Sequence, residues 1–258
     1  VYVAAQGALH GPSTERGVYK STDGGKTWRK TLYVNEDTGC AHLVMDPTNP
    51  RILYAAMWEH RRLPWQVISG GAGSGLYKST DSGETWNPIQ EGLPKELGKM
   101  SIAVSGANPE KVYALVESDT EKEQGGLFVS QNGGTSWSRI SKEHRLVQRA
   151  WYYIEVFADP LDENTVYVLN ASAMKSTDGG KSWSEMGDTH GDHHDLWINP
   201  DNSDNMVLSN DGGAAISFNG GDTWSTQDNM PTAQFYRINV DNHFPYRIYG
   251  GQQDNSSV

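Results

Sequence analysis

Short apolar runs recur along the chain in a fixed order, each closed by turn-forming residues. A first run ends in a Pro, Asn or Gly turn: His42-Leu-Val-Met-Asp-Pro47, Ile102-Ala-Val-Ser-Gly106, Tyr153-Ile-Glu-Val-Phe-Ala-Asp-Pro160 and Leu196-Trp-Ile-Asn-Pro200. A second follows at once: Ile52-Leu-Tyr-Ala-Ala56, Val112-Tyr-Ala-Leu-Val116, Val166-Tyr-Val-Leu169 and Met206-Val-Leu-Ser209. A third, after a loop, ends in Ser: Gly75-Leu-Tyr-Lys-Ser79, Gly126-Leu-Phe-Val-Ser130, Ala173-Met-Lys-Ser176 and Ala214-Ala-Ile-Ser217. A fourth starts at a Trp. Runs this short, rich in β-branched and aromatic residues and broken by Pro, Asn and Gly, read as strands of an antiparallel meander. No segment carries helical periodicity; Leu93 to Leu97 supports a turn of helix at most.

Between the third and fourth runs lies an eight-residue box. It reads S-T-D-G-G-K-T-W from Ser21 to Trp28, S-T-D-S-G-E-T-W from Ser79 to Trp86, and S-T-D-G-G-K-S-W from Ser176 to Trp183. Ser130 to Trp137 and Ser217 to Trp224 carry Asn in the Asp position. The Asp or Asn oxygen can accept backbone N–H groups two or three residues on, and the Gly pair supplies angles a side chain would forbid. The box is therefore a turn, and its Trp is expected to be largely buried between repeats. A calcium loop needs carboxylates at alternate positions, which the box lacks.

Four strands in each unit of about 40 to 50 residues is the pattern of a propeller blade. The fold class read from the pattern is all-β, a β-propeller of four-stranded antiparallel blades with box turns. The chain divides as a single propeller segment, 1–258. A partial blade occupies 1–34, full blades about 40–92, 99–142, 150–187 and 193–228, and a partial blade 234–251. Three strands at one end and two at the other exceed one blade, which predicts an arc of a larger propeller.

That order predicts two unlike faces. The box turns and the turns after each first strand lie on one. The loops leading into first strands, and those between second and third strands, lie on the other, at the mouth of the central funnel. The mouth loops carry Trp, His, Arg and acids, an inventory that mere connections do not need. The predicted ligand-binding set is His42, Trp58, Arg61, Trp65, Trp151, Asp192, His193, His194, Asp195, Asp211, Gln252, Gln253 and Asp254. His42, Trp151, one of His193 and His194, Asp195, Asp211, Gln252 and Asp254 are expected to line one concavity.

Thr189 to Asp195 packs three imidazoles and two carboxylates into seven residues. Metal ligation, acid–base chemistry and a purely structural polar network all fit that stretch. Adjacent His193 and His194 point to opposite faces once the strand begins, so at most one of them joins a given site. Gly70 to Gly75 resembles a phosphate loop, but Leu76 stands where a lysine belongs and a strand follows, so it reads as a flexible loop. Trp58 to Trp65, with Arg61 and Arg62, can stack a sugar ring or grip a carboxylate, or pack on the next blade. Glu59, Asp192, Asp195, Asp211 and Asp254 are the pool from which a pair of hydrolytic carboxylates could be drawn. No G-x-S-x-G nucleophile motif is present.

The 258 residues suffice for one large all-β domain. A formal charge of −11 with no basic cluster excludes a nucleic-acid footprint. One cysteine, Cys40, forbids an internal disulfide. No stretch is long and apolar enough for a membrane helix. Val1 opens inside a strand, so the chain reads as an internal piece of a longer protein.

The boxes resemble those of the Asp-box, or bacterial neuraminidase repeat, proteins, which include sialidases, xyloglucanases and sortilin-type receptor propellers. Arg149-Ala-Trp-Tyr-Tyr153, His190-Gly-Asp-His-His-Asp-Leu-Trp197, Ser209-Asn-Asp-Gly-Gly213 and Tyr249-Gly-Gly-Gln-Gln-Asp-Asn255 resemble large exported bacterial proteins labelled sortilin-like or glycosyl hydrolase. The resemblance implies further blades before Val1 and after Val258, and a secreted or periplasmic location. It carries over no catalytic residue: neither the sialidase arginine triad nor the xyloglucanase aspartates match a motif here. The expected function is a propeller binding a carbohydrate or peptide at the funnel mouth, without cofactor or metal and without an assigned catalytic role. The alternative is a glycoside hydrolase, sialidase- or xyloglucanase-like, using funnel carboxylates.

Overall fold

The computed structural model describes residues 1–118, 124–227 and 234–254. The first sheet holds β1 (Tyr2–Ala5), β2 (Gly17–Lys20) and β3 (Arg29–Leu32). The second holds β4 (Thr38–Met45), β5 (Leu53–Leu63), β7 (Gly75–Ser79) and β8 (Asn87–Pro88), with β6 (Gln66–Ser69) paired to the far end of β5. The third holds β9 (Met100–Val104), β10 (Val112–Val116), β11 (Gly126–Ser130) and β12 (Ser138–Ser141). The fourth holds β13 (Glu155–Ala158), β14 (Val166–Leu169), β15 (Ala173–Ser176) and β16 (Ser184–Glu185). The fifth holds β17 (His193–Ile198), β18 (Met206–Asn210) and β19 (Gly213–Ser217). A last hairpin joins β20 (Phe235–Val240) and β21 (Ile248–Gln252), and is solvent-exposed along nearly all its length. All pairings are antiparallel, between chain neighbours except for β5 with β7, and the sheets form an arc of a β-propeller.

The core lies between sheets. Along β10, Val112, Ala114 and Val116 face the second sheet, while Tyr113 and Leu115 face the fourth. Both faces of the strand are covered, which is why its apolar run is continuous instead of alternating. Equivalent layers join the first sheet to the second around Val18, Ala55 and Met57, and the fourth to the fifth around Leu169, Leu196 and Leu208.

The box turns close as self-contained units. Asp23 accepts the Thr27 N–H at 2.9 Å on one oxygen and the Thr27 hydroxyl at 2.7 Å on the other. The Ser21 hydroxyl bonds Asp23 and accepts the Gly25 N–H, each at 2.8 Å. The bonds therefore reach four residues on, one further than expected. Asn132 keeps the acceptor but turns its Nδ2 to the Ser136 hydroxyl, reversing that bond. Ser82 occupies the first-Gly place of the second box at φ 64°, a left-handed angle that the other boxes give to glycine.

A Tyr–Lys latch recurs at three of the junctions; the third sheet has Tyr113 opposite Val129, and Tyr113 donates to the Glu163 carbonyl at 2.6 Å. Tyr54 and Lys78 are cross-strand partners, and both donate to the Gly133 carbonyl of the next box, at 3.1 and 2.6 Å. Tyr2 and Lys20 do the same to the Ser82 carbonyl at 2.7 and 2.8 Å. Lys175, paired with Tyr167, reaches the Gly220 carbonyl at 2.8 Å. In each pair the ammonium also lies over the Tyr ring, 5.3 to 5.8 Å from its centroid. The fifth sheet has Val207 and Ile216 in those places.

Two expectations need correction. Among the described residues three sheets hold a complete run of four strands, where four were expected. After Trp224 the chain stays with β19 only through Ser225, and Gln227 turns inward to bond His190 and Asn210. Of the box tryptophans, Trp137 is buried, Trp86, Trp183 and Trp224 are half-buried, and Trp28 is exposed. Each packs against the preceding sheet, as Trp137 does when its indole N–H meets the Ile89 carbonyl at 3.2 Å, and no sheet precedes Trp28 here. Leu93 to Leu97 stays within the turn of helix at most that its sequence supports, as bends ending in a bridge, and a helical turn lies at His144–Leu146.

Candidate functional site

The faces divide as the strand order predicts. Box turns bond to the turns after first strands, as Gly133 N–H does to the Glu110 carbonyl at 2.8 Å and Gly179 to Asn164 at 2.8 Å. On the opposite face the leading loops meet the loops between second and third strands. There the Asp192 N–H donates to the Ala171 carbonyl, and the Asp211 N–H to the Asp192 carbonyl.

At this mouth a chain of polar groups runs from the loop before β13 to the turn after β18. Arg149 donates to Asp192 Oδ1 at 2.8 Å, and the Tyr153 hydroxyl donates to the same oxygen at 3.1 Å. The Tyr153 ring packs on the His194 ring, centroids 4.5 Å apart. His194 Nε2 in turn meets Asp211 Oδ1 at 2.8 Å. Burial, reinforced by the Asp192 charge, holds the Tyr153 hydroxyl far above its ordinary range, so it stays a donor. Beside this chain Trp151 and Tyr152 stand exposed as an aromatic ledge, with the Arg149 guanidinium 5.3 Å from the Tyr152 centroid. Arg149 and Asp192 both have left-handed φ, at 60° and 54°, uncommon for non-glycine residues.

Of the predicted ligand set, Trp151, Asp192, His194 and Asp211 come together here. His193 turns inward to 3% exposure, with Nε2 on the Thr189 hydroxyl at 2.9 Å, and burial lowers its pKa. Alternation thus selects His194 for the site. Asp195 is exposed and accepts the following Leu196 N–H, apart from the chain of groups. His42 lies on an inner strand, paired with Glu155 instead of the mouth residues.

The second-sheet residues are placed differently from expectation. Trp58 is 2% exposed, its indole N–H on Ser69 and its ring stacked on His60 at 3.9 Å, so no face is free for a ligand. Arg61 pairs with Asp37. Trp65 is 79% exposed at the tip of the β5–β6 arm, whose base Arg16 braces through the His60 carbonyl. Gly70 to Gly75 wraps the Glu59 carboxylate: Gly73 N–H donates to it at 3.0 Å, and a Cβ at Gly71 would collide with it. The loop is a fitted cover, which also removes Glu59 from the pool of open carboxylates. Gln252, Gln253 and Asp254 end the exposed hairpin, Gln253 donating to Asp254 at 2.7 Å, and they do not join His194 and Asp211.

Sequence reasoning left Arg149, Tyr153, Glu155 and Gln227 out of the ligand set. The first two flank Trp151 in one polar–aromatic run, a signal that could have drawn them in. Gln227 has no signal; its two bonds, from the His190 N–H and to Asn210 Oδ1, exist only in the fold. No cluster of three or more His, Cys, Asp or Glu among the described residues is placed to hold a metal. No helix among them is long and apolar enough to cross a membrane.

Comparison with known proteins follows the same lines. The family model Sortilin-Vps10, described as sortilin, neurotensin receptor 3, matches residues 16–173, and the BNR/Asp-box repeat model matches residues 174–185. A probable oligoxyloglucan-reducing end-specific xyloglucanase of Neosartorya fischeri is 26% identical over 200 residues, covering 70% of this chain and 23% of that protein. A xyloglucanase of a Paenibacillus species is 27% identical over 249 residues, covering 89% of this chain and 19% of that protein. The chain thus spans about a fifth to a quarter of the length of these curated relatives. The crystal structure of an ancestral GH74 enzyme shares the fold, with TM-score 0.50 and 20% identity over 100% of this chain and 30% of that one.

Proposed function

The chain belongs to the Sortilin-Vps10 family, and from that premise we propose that its mouth binds a carbohydrate chain, within a longer secreted or periplasmic propeller protein. The observation that carries the reading is the linked set Arg149, Asp192, Tyr153, His194 and Asp211 beside the Trp151–Tyr152 ledge. Exposed aromatic faces stack on sugar rings, and the carboxylates and imidazole at the rim answer their hydroxyls. The polar groups are held by one another and by rigid strands, so little ordering is lost on binding. The names of the relatives make xyloglucan oligosaccharides the first ligands to try.

Hydrolysis is the second reading, favoured by those same names and by two carboxylates, Asp192 and Asp211, joined through Tyr153 and His194. The test is calorimetric titration with xyloglucan oligosaccharides, cello-oligosaccharides and a peptide panel, alongside an assay for released reducing ends. Binding of a glycan that Trp151→Ala and Asp211→Ala both weaken, without loss of melting temperature, supports the mouth site. Sugar release abolished by Asp192→Asn would favour the hydrolase. Binding of peptides alone would overturn both.

A further inference from the structure

The backbone of the Trp151–Tyr152 ledge meets a buried cation. Lys99 immediately precedes β9, in the leading loop of the third sheet, and is 8% exposed. Its ammonium donates to the Tyr152 carbonyl at 3.3 Å and lies 5.6 Å from the Trp58 ring centroid. The surroundings of that ammonium are firm. Trp58 bonds Ser69 and stacks on His60. The Lys99 N–H donates to Glu117 Oε2 at 2.8 Å, and the Lys99 carbonyl accepts the Glu117 N–H at 2.9 Å. The ledge itself is less well supported. Residues 147–152 form turns and belong to no strand, and their own hydrogen bonds close on the Val147 and Arg149 carbonyls. Asn170 fixes the segment before them, donating to the Arg145 and Leu146 carbonyls at 2.9 and 3.1 Å. The Tyr153 hydroxyl fixes the residue after them through Asp192. Between those two ends Lys99 ties the ledge backbone to the third sheet.

Packing alone does not call for a charge here. An ammonium can donate three hydrogen bonds, and among the described residues this one makes a single bond. Burial penalises the charged form, and the charges of Glu155 and Glu117 act against that penalty. A methionine of similar length would fill the same space without desolvating a charge, an exchange that is often neutral or stabilising. The cost is explained if the charge holds the ledge where a ligand needs it.

We propose that Lys99 is a positioning residue: through its bond to the Tyr152 carbonyl it sets the Trp151 and Tyr152 rings for stacking on a sugar, without itself touching the glycan. This deepens the reading of the mouth as a glycan site and rests on it. The experiment titrates xyloglucan oligosaccharides into the wild-type chain, Lys99→Met, Lys99→Arg, Trp151→Ala and the double variant Lys99→Met with Trp151→Ala, with melting curves for each. Roughly tenfold weaker binding is expected from Lys99→Met, the size of a lost charged hydrogen bond, with unchanged melting. Lys99→Arg keeps the charge and a donor, and should bind within about twofold of wild type. The double variant separates positioning from bracing. If Lys99 acts through the ledge, its removal costs little further once Trp151 is gone. Equal fold losses in the two backgrounds would place its action elsewhere and overturn the proposal. Binding by Lys99→Arg as weak as by Lys99→Met, at unchanged melting, would show that the charge does not hold the ledge and would also overturn it. If Lys99→Met fails to fold, or melts early but binds normally per folded molecule, Lys99 is a brace and the proposal fails while the mouth site stands. If the wild-type chain binds no glycan, or Trp151→Ala binds as well as wild type, the mouth reading falls and takes this one with it.

Discussion

On the box face, Asp23, Asp81 and Asp178 each satisfy their own turn through residues no more than four positions away. On the mouth face, Arg149 finds its carboxylate 43 positions on, and His194 finds Asp211 across a strand pair. The box chemistry repeats from sheet to sheet, and a Tyr–Lys pair seats three of the boxes on the preceding sheet. The mouth chemistry occurs once, and two of its residues, Arg149 and Asp192, hold left-handed backbone. Repetition with local closure is what a scaffold requires. Unrepeated long-range pairing on strained backbone is what a site tolerates because the scaffold supports it.

Paired tryptophan substitutions should separate the faces most sharply. Trp137→Ala removes a buried ring from a layer between sheets and should cost about 3–5 kcal/mol. Trp151→Ala, on the exposed ledge, should stay within about 0.5 kcal/mol. Urea unfolding of both variants reads the difference, and equal losses would erase the distinction. The latch comes next. Lys78→Met keeps the stem but deletes the charged donor to Gly133, which should cost roughly 1–3 kcal/mol by the same measurement.

Acid should unfold the two faces in separate windows. Burial holds His60, at the base of the mouth-side arm, down to about 4 against an ordinary 6.5. The unfolded chain takes up that proton first, so stability should fall as pH drops from 6.5 toward 4, and no further from this group below that. His60→Phe should flatten this window. On the box face, the Thr27 backbone and hydroxyl hold Asp23 at about 2 against 3.8. Its contribution is present above 3.8 and is lost as pH falls through about 2, a lower window that Asp23→Asn should leave flat. Melting temperature against pH measures both, and a single merged transition in the wild type and each variant would contradict the assignment.

The smallest stability effect is expected at the mouth. Asp192→Asn keeps a residue that tolerates left-handed φ but removes the charge facing Arg149. Both side chains are partly exposed, so the loss should be under about 1 kcal/mol while glycan affinity drops. A large stability loss would make the mouth set structural and leave the aromatic ledge without its polar rim.

The sequence by itself determined the strands, the box turns and the division into two faces. Those features rest on local rules: alternation of turn formers with apolar runs, and a Ser–Asp pair that closes its own loop within eight residues. It also selected Trp151, Asp192, His194 and Asp211, because loops of one face carry an excess of functional side chains. The tertiary structure alone decided that Trp58 is buried under His60, that the glycine loop covers Glu59, and that Gln252 to Asp254 stand apart. It likewise decided that Arg149, Tyr153, Glu155 and Gln227 belong to the funnel and its mouth. Those outcomes depend on which side chain of one sheet meets which of another across 40 positions or more. Local pattern does not encode that distance; it is set when the apolar layers between sheets pack and fix the polar ends of the strands against each other.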